Sequence, residues 1–126
     1  MELNWIGKSK SGSVMNCDVK INLNKNKSID ISISATSIAT KLHGCTYIQF
    51  AISGNRIYFR ASDDRHGYKL SRQGENNAGK AHVTNEELLE FIHKNPQIRE
   101  ANFRFDSVND LYFIDASKRD LDWKGV

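Results

Sequence analysis

Arg56, Tyr58 and Arg60 follow one another at every second position, so in an extended strand they project from one face with an aromatic plane between two guanidinium groups. Tyr47 and Gln49 join them if the chain folds back at Gly54-Asn55. That set suits single-stranded nucleic acid, with bases stacked on the rings and phosphates met by the arginines. It equally suits a protein interface, where Tyr and Arg are enriched at the energetic centre. The plainer reading is a solvated sheet face, on which aromatic and long charged side chains are ordinary occupants. Lys8 and Lys10, in the Ser/Gly-rich arm Lys8-Ser9-Lys10-Ser11-Gly12, form a second basic element open to the same three readings.

Other chemistry finds less support. Histidines 43, 66, 82 and 93 and cysteines 17 and 45 include one close pair, His43 and Cys45, with no second pair at finger spacing. Asp63, Asp64 and His66 are near neighbours, but consecutive side chains in a turn or strand point different ways. Neither cysteine has a basic or histidine neighbour imposed by sequence to lower its pKa. The chain has no G-x-S-x-G, no P-loop and no dinucleotide fingerprint. No catalytic residue, metal ligand or cofactor is therefore assigned, and the expectation is a binding protein that is not an enzyme.

The elements that must position the aromatic and basic residues are centred on Thr46 to Ala61, TYIQFAISGNRIYFRA. A two-residue turn with Gly54 in its first central position is of type II′, which matches the twist of paired strands. It fixes a register in which Ser53 faces Arg56, Ile52 Ile57, Ala51 Tyr58, Phe50 Phe59, and Gln49 Arg60. Ile48, Phe50, Ile52, Ile57 and Phe59 then share one face, and Tyr47, Gln49, Arg56, Tyr58 and Arg60 the other.

The totals are those of a globular chain: 126 residues, 39% apolar and 26% charged. Net charge is +3, distributed as 12 Lys+Arg against 6 Asp+Glu in residues 1–83, and 6 against 9 in residues 84–126. The basic first two-thirds favour an anionic partner. No apolar run is long enough to span a membrane, and the start does not read as a secretory signal. Two cysteines make no disulfide framework, so a reduced, cytoplasmic setting is expected.

Around the central hairpin, Cys17, Val19, Ile21 and Leu23 alternate, as do Ile29, Ile31 and Ile33, and these runs predict a first hairpin across the polar loop 22–28. Trp5-Ile6 reads as a short strand or anchor ahead of a mobile basic arm over 7–13. Ser34 is placed to cap a short helix with the stripe Ala35, Ile38, Ala39 and Leu42, ended by Gly44. Tyr68 to Arg72 reads as a strand, Gln73 to Gly79 as a loop and Lys80 to Val83 as a strand. A second helix follows, with Thr84 and Glu87 as a capping box, Val83 and Leu88 as a staple, and Asn95-Pro96 as the stop. Ala101, Phe103 and Phe105 alternate toward a turn at 107–110, Leu111 to Ile114 returns, and a polar tail begins at Ala116. The predicted fold is a single α+β domain over 1–126, a mostly antiparallel sheet of seven or eight strands with two short helices.

Two resemblances bear on function. The run ISISATSIATKLHGCTYIQFAISGNRIYFRAS, from Ile31 to Ser62, resembles the swapped-hairpin DNA-binding domain of bacterial transition-state regulators in the order strand, helix, strand, tight turn, strand. It lacks the proline that family places after its first strand. This resemblance implies DNA binding and a homodimer. The wider layout, with Trp5, the basic arm, the YIQFAISGNRIYFR hairpin, Gly67-Tyr68-Lys69-Leu70 and the helix after His82-Val83, resembles small uncharacterised proteins of bacterial phages and mobile elements. That setting implies either a small nucleic-acid-binding protein, the leading expectation, or an inhibitor that sits on a host or defence-system protein.

Overall fold

The computed structural model describes residues 17–73 and 77–117. Trp5-Ile6, the arm carrying Lys8 and Lys10, most of the tail and the middle of the 73–79 loop lie outside the described residues. Val19–Leu23 (β1) and Ile29–Ile33 (β2) pair antiparallel from Val19↔Ile33 to Leu23↔Ile29, as their alternation requires. The chain then enters α1, Ala35–Lys41. Ser34 caps this helix, its hydroxyl accepting the Ser37 N–H at 3.2 Å. The predicted stripe is narrower than expected: Ser37, Ile38 and Leu42 are buried while Ala39 faces solvent. Ser37 can be buried because its hydroxyl donates to Asp18 Oδ1 at 2.6 Å. Past the helix, His43 and Gly44 both take positive φ, 58° and 63°, and the Gly44 N–H closes on the Ile38 carbonyl at 2.7 Å.

Tyr47–Ser53 (β3) and Arg56–Ser62 (β4) form the central hairpin in the register deduced from its turn, Ser53↔Arg56 through Tyr47↔Ser62. Gly54 has φ +61° and Asn55 is not among the positive-φ residues, as a type II′ turn requires. Ile48, Ile57 and Phe59 are buried, whereas Phe50 and Ile52 are half-buried at the margin of the core.

Among the described residues there are ten strands instead of seven or eight, in two antiparallel sheets of five. Two runs that alternate like single strands each divide between the sheets. Tyr68–Lys69 (β5) joins the edge of β3, Leu70 turns into the core, and Ser71–Gln73 (β6) belongs to the other sheet. Glu100–Ala101 (β8) pairs with β1, and Arg104–Asp106 (β9) pairs with Leu111–Asp115 (β10). Period-2 alternation reports a face and carries no information about which sheet the face belongs to. The 73–79 loop is also shorter than expected, because Gln73 pairs with Ala78 and β7 spans Ala78–Val83. Gly79 is the close-approach point of that strand: a Cβ there would lie 2.8 Å from Ile38 Cδ1 and 3.1 Å from Leu70 Cβ.

The sheet orders are β6-β7-β2-β1-β8 and β5-β3-β4-β10-β9. Ile21, Ile29, Ile31, Ile33 and Val83 from the first and Ile48, Ile57, Phe59 and Ile114 from the second meet in one core, with Ile38 and Leu42 of α1. The second helix, α2 (Glu86–Lys94), adds Leu88 and Ile92. Its cap is Asn85, whose side chain accepts the Leu88 N–H at 2.9 Å, and not Thr84. Asn caps at least as well as Thr, and starting one residue later keeps Glu86 and Glu87 at the positive end of the helix. Val83 and Leu88 are both buried, although one position off the staple spacing. Pro96 opens the 3₁₀ turn Pro96–Arg99 directly after the helix.

Asp18 ties distant segments together. Its backbone carbonyl accepts the Ser34 N–H at 3.0 Å, its carboxylate accepts from Ser37 and from the Phe103 N–H at 2.8 Å, and its own N–H donates to Asn102 at 3.0 Å. This junction of β1, α1 and the crossing at 102–103 holds the two sheets in relation.

Candidate binding face on the central hairpin

The pleat of β3 and β4 turns Tyr47, Gln49, Ala51, Arg56, Tyr58 and Arg60 away from the core, so the residues selected by spacing do share the outer face. On the flank of β4, β10 sets Phe113 opposite Tyr58 and Asp115 opposite Arg56. One strand further, β9 sets Arg104 opposite Phe113 and Asp106 opposite Leu111. All of these occupy the outer face, because residues directly paired across strands project to the same side.

At one end the arginine is consumed by the fold. Arg56 Nη1 donates to the Tyr58 hydroxyl at 2.9 Å, and that hydroxyl donates to Asp106 Oδ2 at 2.8 Å. The guanidinium also lies 3.6 Å from Asp106 and 3.8 Å from Asp115, and its carbon stands 4.1 Å above the centre of the Phe113 ring. Tyr58 meets the same ring at 5.4 Å. Phe113 is thus only 5% exposed although it is on the outer side. Hydrogen bonds from Asn109 and Tyr58 hold the Asp106 carboxyl down at about 2, and its other oxygen accepts the Val108 and Asn109 N–H groups at 3.0 and 3.2 Å. The Tyr58 hydroxyl, ahead of the two carboxylates, favours the charged form of Arg56 further.

At the other end Arg60 is exposed, and Nε donates to the neutral Gln49 Oε1 at 2.9 Å. Among the described residues no carboxylate lies within 4.0 Å of it. Where Ala51 leaves space, a depression of about 230 Å³ opens between Gln49, Tyr58, Arg60 and Leu111. Gln49 and Arg60 also border a wider shelf of about 560 Å³ that continues past Ser62 to Asp63 and His66. On that shelf His66 Nδ1 is 2.9 Å from Asp63 Oδ1, and this hydrogen bond keeps the Asp63 carboxyl below its ordinary value. Tyr47 is half-buried at the opposite margin, beside Lys69 of β5.

The structure therefore brings Gln49, Tyr58 and Arg60 together, assigns Arg56 to the scaffold and leaves Tyr47 at the edge. Sequence reasoning missed Asp106, Phe113 and Asp115, which complete the Arg56 end, and Leu111, which borders the Arg60 depression. Asp63 and His66, weighed from sequence only as a metal cluster, extend the Arg60 end. β10 alternates visibly in sequence, but its adjacency to β4 is a long-range fact that no local signal reports.

Elsewhere, His82 Nδ1 pairs with Asp30 Oδ1 at 2.9 Å across β2 and β7, on the solvent side of the first sheet. Burial pushes the thiols of Cys17 and Cys45 upward, away from the thiolate, and both are unpaired. Among the described residues no three His, Cys, Asp or Glu side chains converge as metal ligands, and no helix is long and apolar enough to cross a membrane. No protein family matches this chain, and no curated protein or solved structure is significantly similar to it.

Proposed function

We propose that this chain is a non-enzymatic binding protein, from a phage or mobile-element setting, that takes single-stranded nucleic acid on the outer face of the β3–β4 hairpin. The observation that carries the reading is the pairing of Arg60 with Tyr58 around one depression. Arg60 carries a charge that no carboxylate among the described residues neutralises, and Tyr58 presents a ring whose hydroxyl is already fixed to Asp106. A fixed ring is a stacking platform that loses little entropy when a base settles against it, and an exposed guanidinium supplies the phosphate contact. A splayed strand also suits an open sheet face better than a duplex does.

The test is the affinity of the full chain for short single- and double-stranded DNA and RNA across a salt series. Single strands should bind more tightly than duplexes, with affinity falling steeply from about 50 to 200 mM salt. Flat or absent binding overturns the reading. It would leave the same face as the docking surface of an inhibitor of a host or defence-system protein, to be sought by pull-down from host lysate.

A further inference from the structure

Among the described residues, the two large apolar side chains that remain exposed are Phe105, at 49%, and Val108, at 90%. Both belong to the β9–β10 hairpin. β9 is also an outermost strand of the second sheet. An outermost strand offers unpaired N–H and C=O groups to any chain that comes alongside. The other outermost strands, β5, β6 and β8, are as short as β9 or shorter and carry no exposed large apolar side chain.

The backbone of β9 shows which groups are on offer. The Asp106 carbonyl accepts the Asp110 N–H at 2.7 Å and so points toward the hairpin. Backbone groups alternate sides along a strand, so Arg104 also points toward β10 and Phe105 directs its N–H and C=O to the open edge. Side chains alternate the other way, with Arg104 and Asp106 on the outer face and Phe105 on the inner one.

Read against its own reverse, the triplet Arg104-Phe105-Asp106 is complementary to itself. We propose that the chain forms a two-fold homodimer by antiparallel pairing of β9 with β9 of a second copy, Phe105 lying on the axis. Phe105 then exchanges both backbone hydrogen bonds with its counterpart, and the two rings meet on the inner side. Each Arg104 then stands opposite Asp106 of the other copy, twice by symmetry, and adds its charge to a carboxylate that Tyr58, Asn109 and Arg56 already hold in place. On the inner side, a groove of about 460 Å³ bordered by Leu42, His43, Phe105 and Tyr112 gives the paired rings room. An acidic peptide is the rival occupant of this edge, since Lys41 also borders the groove, but it would meet Asp110 with like charge. The two-fold axis is perpendicular to the sheet, so both outer faces look the same way. The two Arg60 depressions would then lie about 24 Å apart across the strands of one ten-stranded sheet.

Sedimentation equilibrium on the full chain across the micromolar range tests this directly, without nucleic acid. The wild-type chain should sediment at twice the chain mass. Phe105→Glu should be monomeric, and Arg104→Glu, which places like charges opposite each other twice, should raise the dissociation constant by about tenfold or more. Lys69→Glu, the same change of charge at the opposite edge of the sheet, should leave the dimer intact. Lys69→Glu should melt close to wild type, and Phe105→Glu and Arg104→Glu should still unfold cooperatively, at a temperature lowered by the loss of association. A wild-type monomer throughout the range overturns the proposal. So does a dimer that survives both β9 changes, or one that Lys69→Glu weakens as much as Arg104→Glu does.

Discussion

Arg56 and Arg60 occupy the same strand and the same face, four residues apart, and the fold treats them in opposite ways. Arg56 is bonded to a hydroxyl, flanked by two carboxylates and laid over a ring. Arg60 is bonded to one neutral amide beside an open depression. The cause is the order of residues in β10, LYFID, which runs antiparallel to β4. Its aspartate arrives opposite Arg56, whereas its other end brings Leu111 to the Arg60 side. A positive charge in a strand is therefore available to a partner only if the neighbouring strand withholds a carboxylate. Counting arginines along β4 overstates the charge that this face can offer.

Both ends rest on the same inner layer, so the largest expected effect comes from undermining them together. Phe59 is 1% exposed and meets Phe50 and Phe103 edge-on at 5.2 and 4.9 Å. Phe59→Ala should destabilise the fold by about 3–5 kcal/mol. A thermal or denaturant melt that shows less loss than for Tyr58→Ala would mean the register is off by one, and the contrast between the two arginines would go with it.

The next effect separates the ends. Tyr58→Ala should cost about 2 kcal/mol, less than Phe59 because the ring is half-buried, while Tyr58→Phe should cost about 1 kcal/mol for the lost hydroxyl bridge. Under the proposed function the two variants diverge in binding. The phenylalanine keeps a stacking plane and should stay near wild type, and the alanine should lose roughly 1–3 kcal/mol of affinity. Equal losses of binding for both would show that Tyr58 acts through its hydroxyl, and would place the whole of this ring on the scaffold side of the comparison.

Acid should weaken the Arg56 end by a route that Arg60 does not share. The Asp106 carboxyl is held at about 2, below its ordinary 3.8, so its contribution is present in full above the ordinary value and fades as pH falls through about 2. Asp63 and Asp115 are also held low, and they add to the same acid limb. The informative quantity is the difference between chains. Asp106→Asn should be less stable than wild type at neutral pH and should lose less on acidification between about 4 and 2. Parallel stability-versus-pH curves for the two chains would remove Asp106 from the account of why Arg56 is unavailable.

How much of this was legible before the structure follows from the range of each signal. The β3–β4 register was readable because a two-residue turn with Gly54 leaves no choice of partner. Ser34 as a cap, Pro96 as a stop and the alternation of β1 and β2 are likewise local. The choice between Thr84 and Asn85 was not, since adjacent residues both cap well and the packing of Leu88 and Ile92 selects the start. Leu70 and the crossing at 102–103 look like strand interior because alternation continues through a change of sheet. In the candidate site, the residues of β3 and β4 were found from spacing alone. Their division into scaffold and surface depends on Asp106 and Asp115, which approach from the far end of the chain.

The smallest expected change in stability is at Arg60, and it is the sharpest test of the comparison. Its guanidinium is exposed and bonded to a neutral acceptor, so Arg60→Ala should shift stability by less than about 0.5 kcal/mol. If Arg60 neutralises a phosphate, the same variant should bind every single-stranded sequence more weakly by a similar factor, and its log–log salt slope should flatten by about one unit. Arg56→Ala should behave in reverse. It uncovers Phe113 and leaves Asp106 and Asp115 without their cation, so its melting temperature should fall while its salt slope stays near wild type. Measured side by side, the pair needs no absolute affinity to be decisive. Should Arg56→Ala flatten the slope and Arg60→Ala leave it unchanged, the carboxylates of β9 and β10 would have to let Arg56 go on binding, and the open depression beside Arg60 would be a feature of shape without a role in recognition.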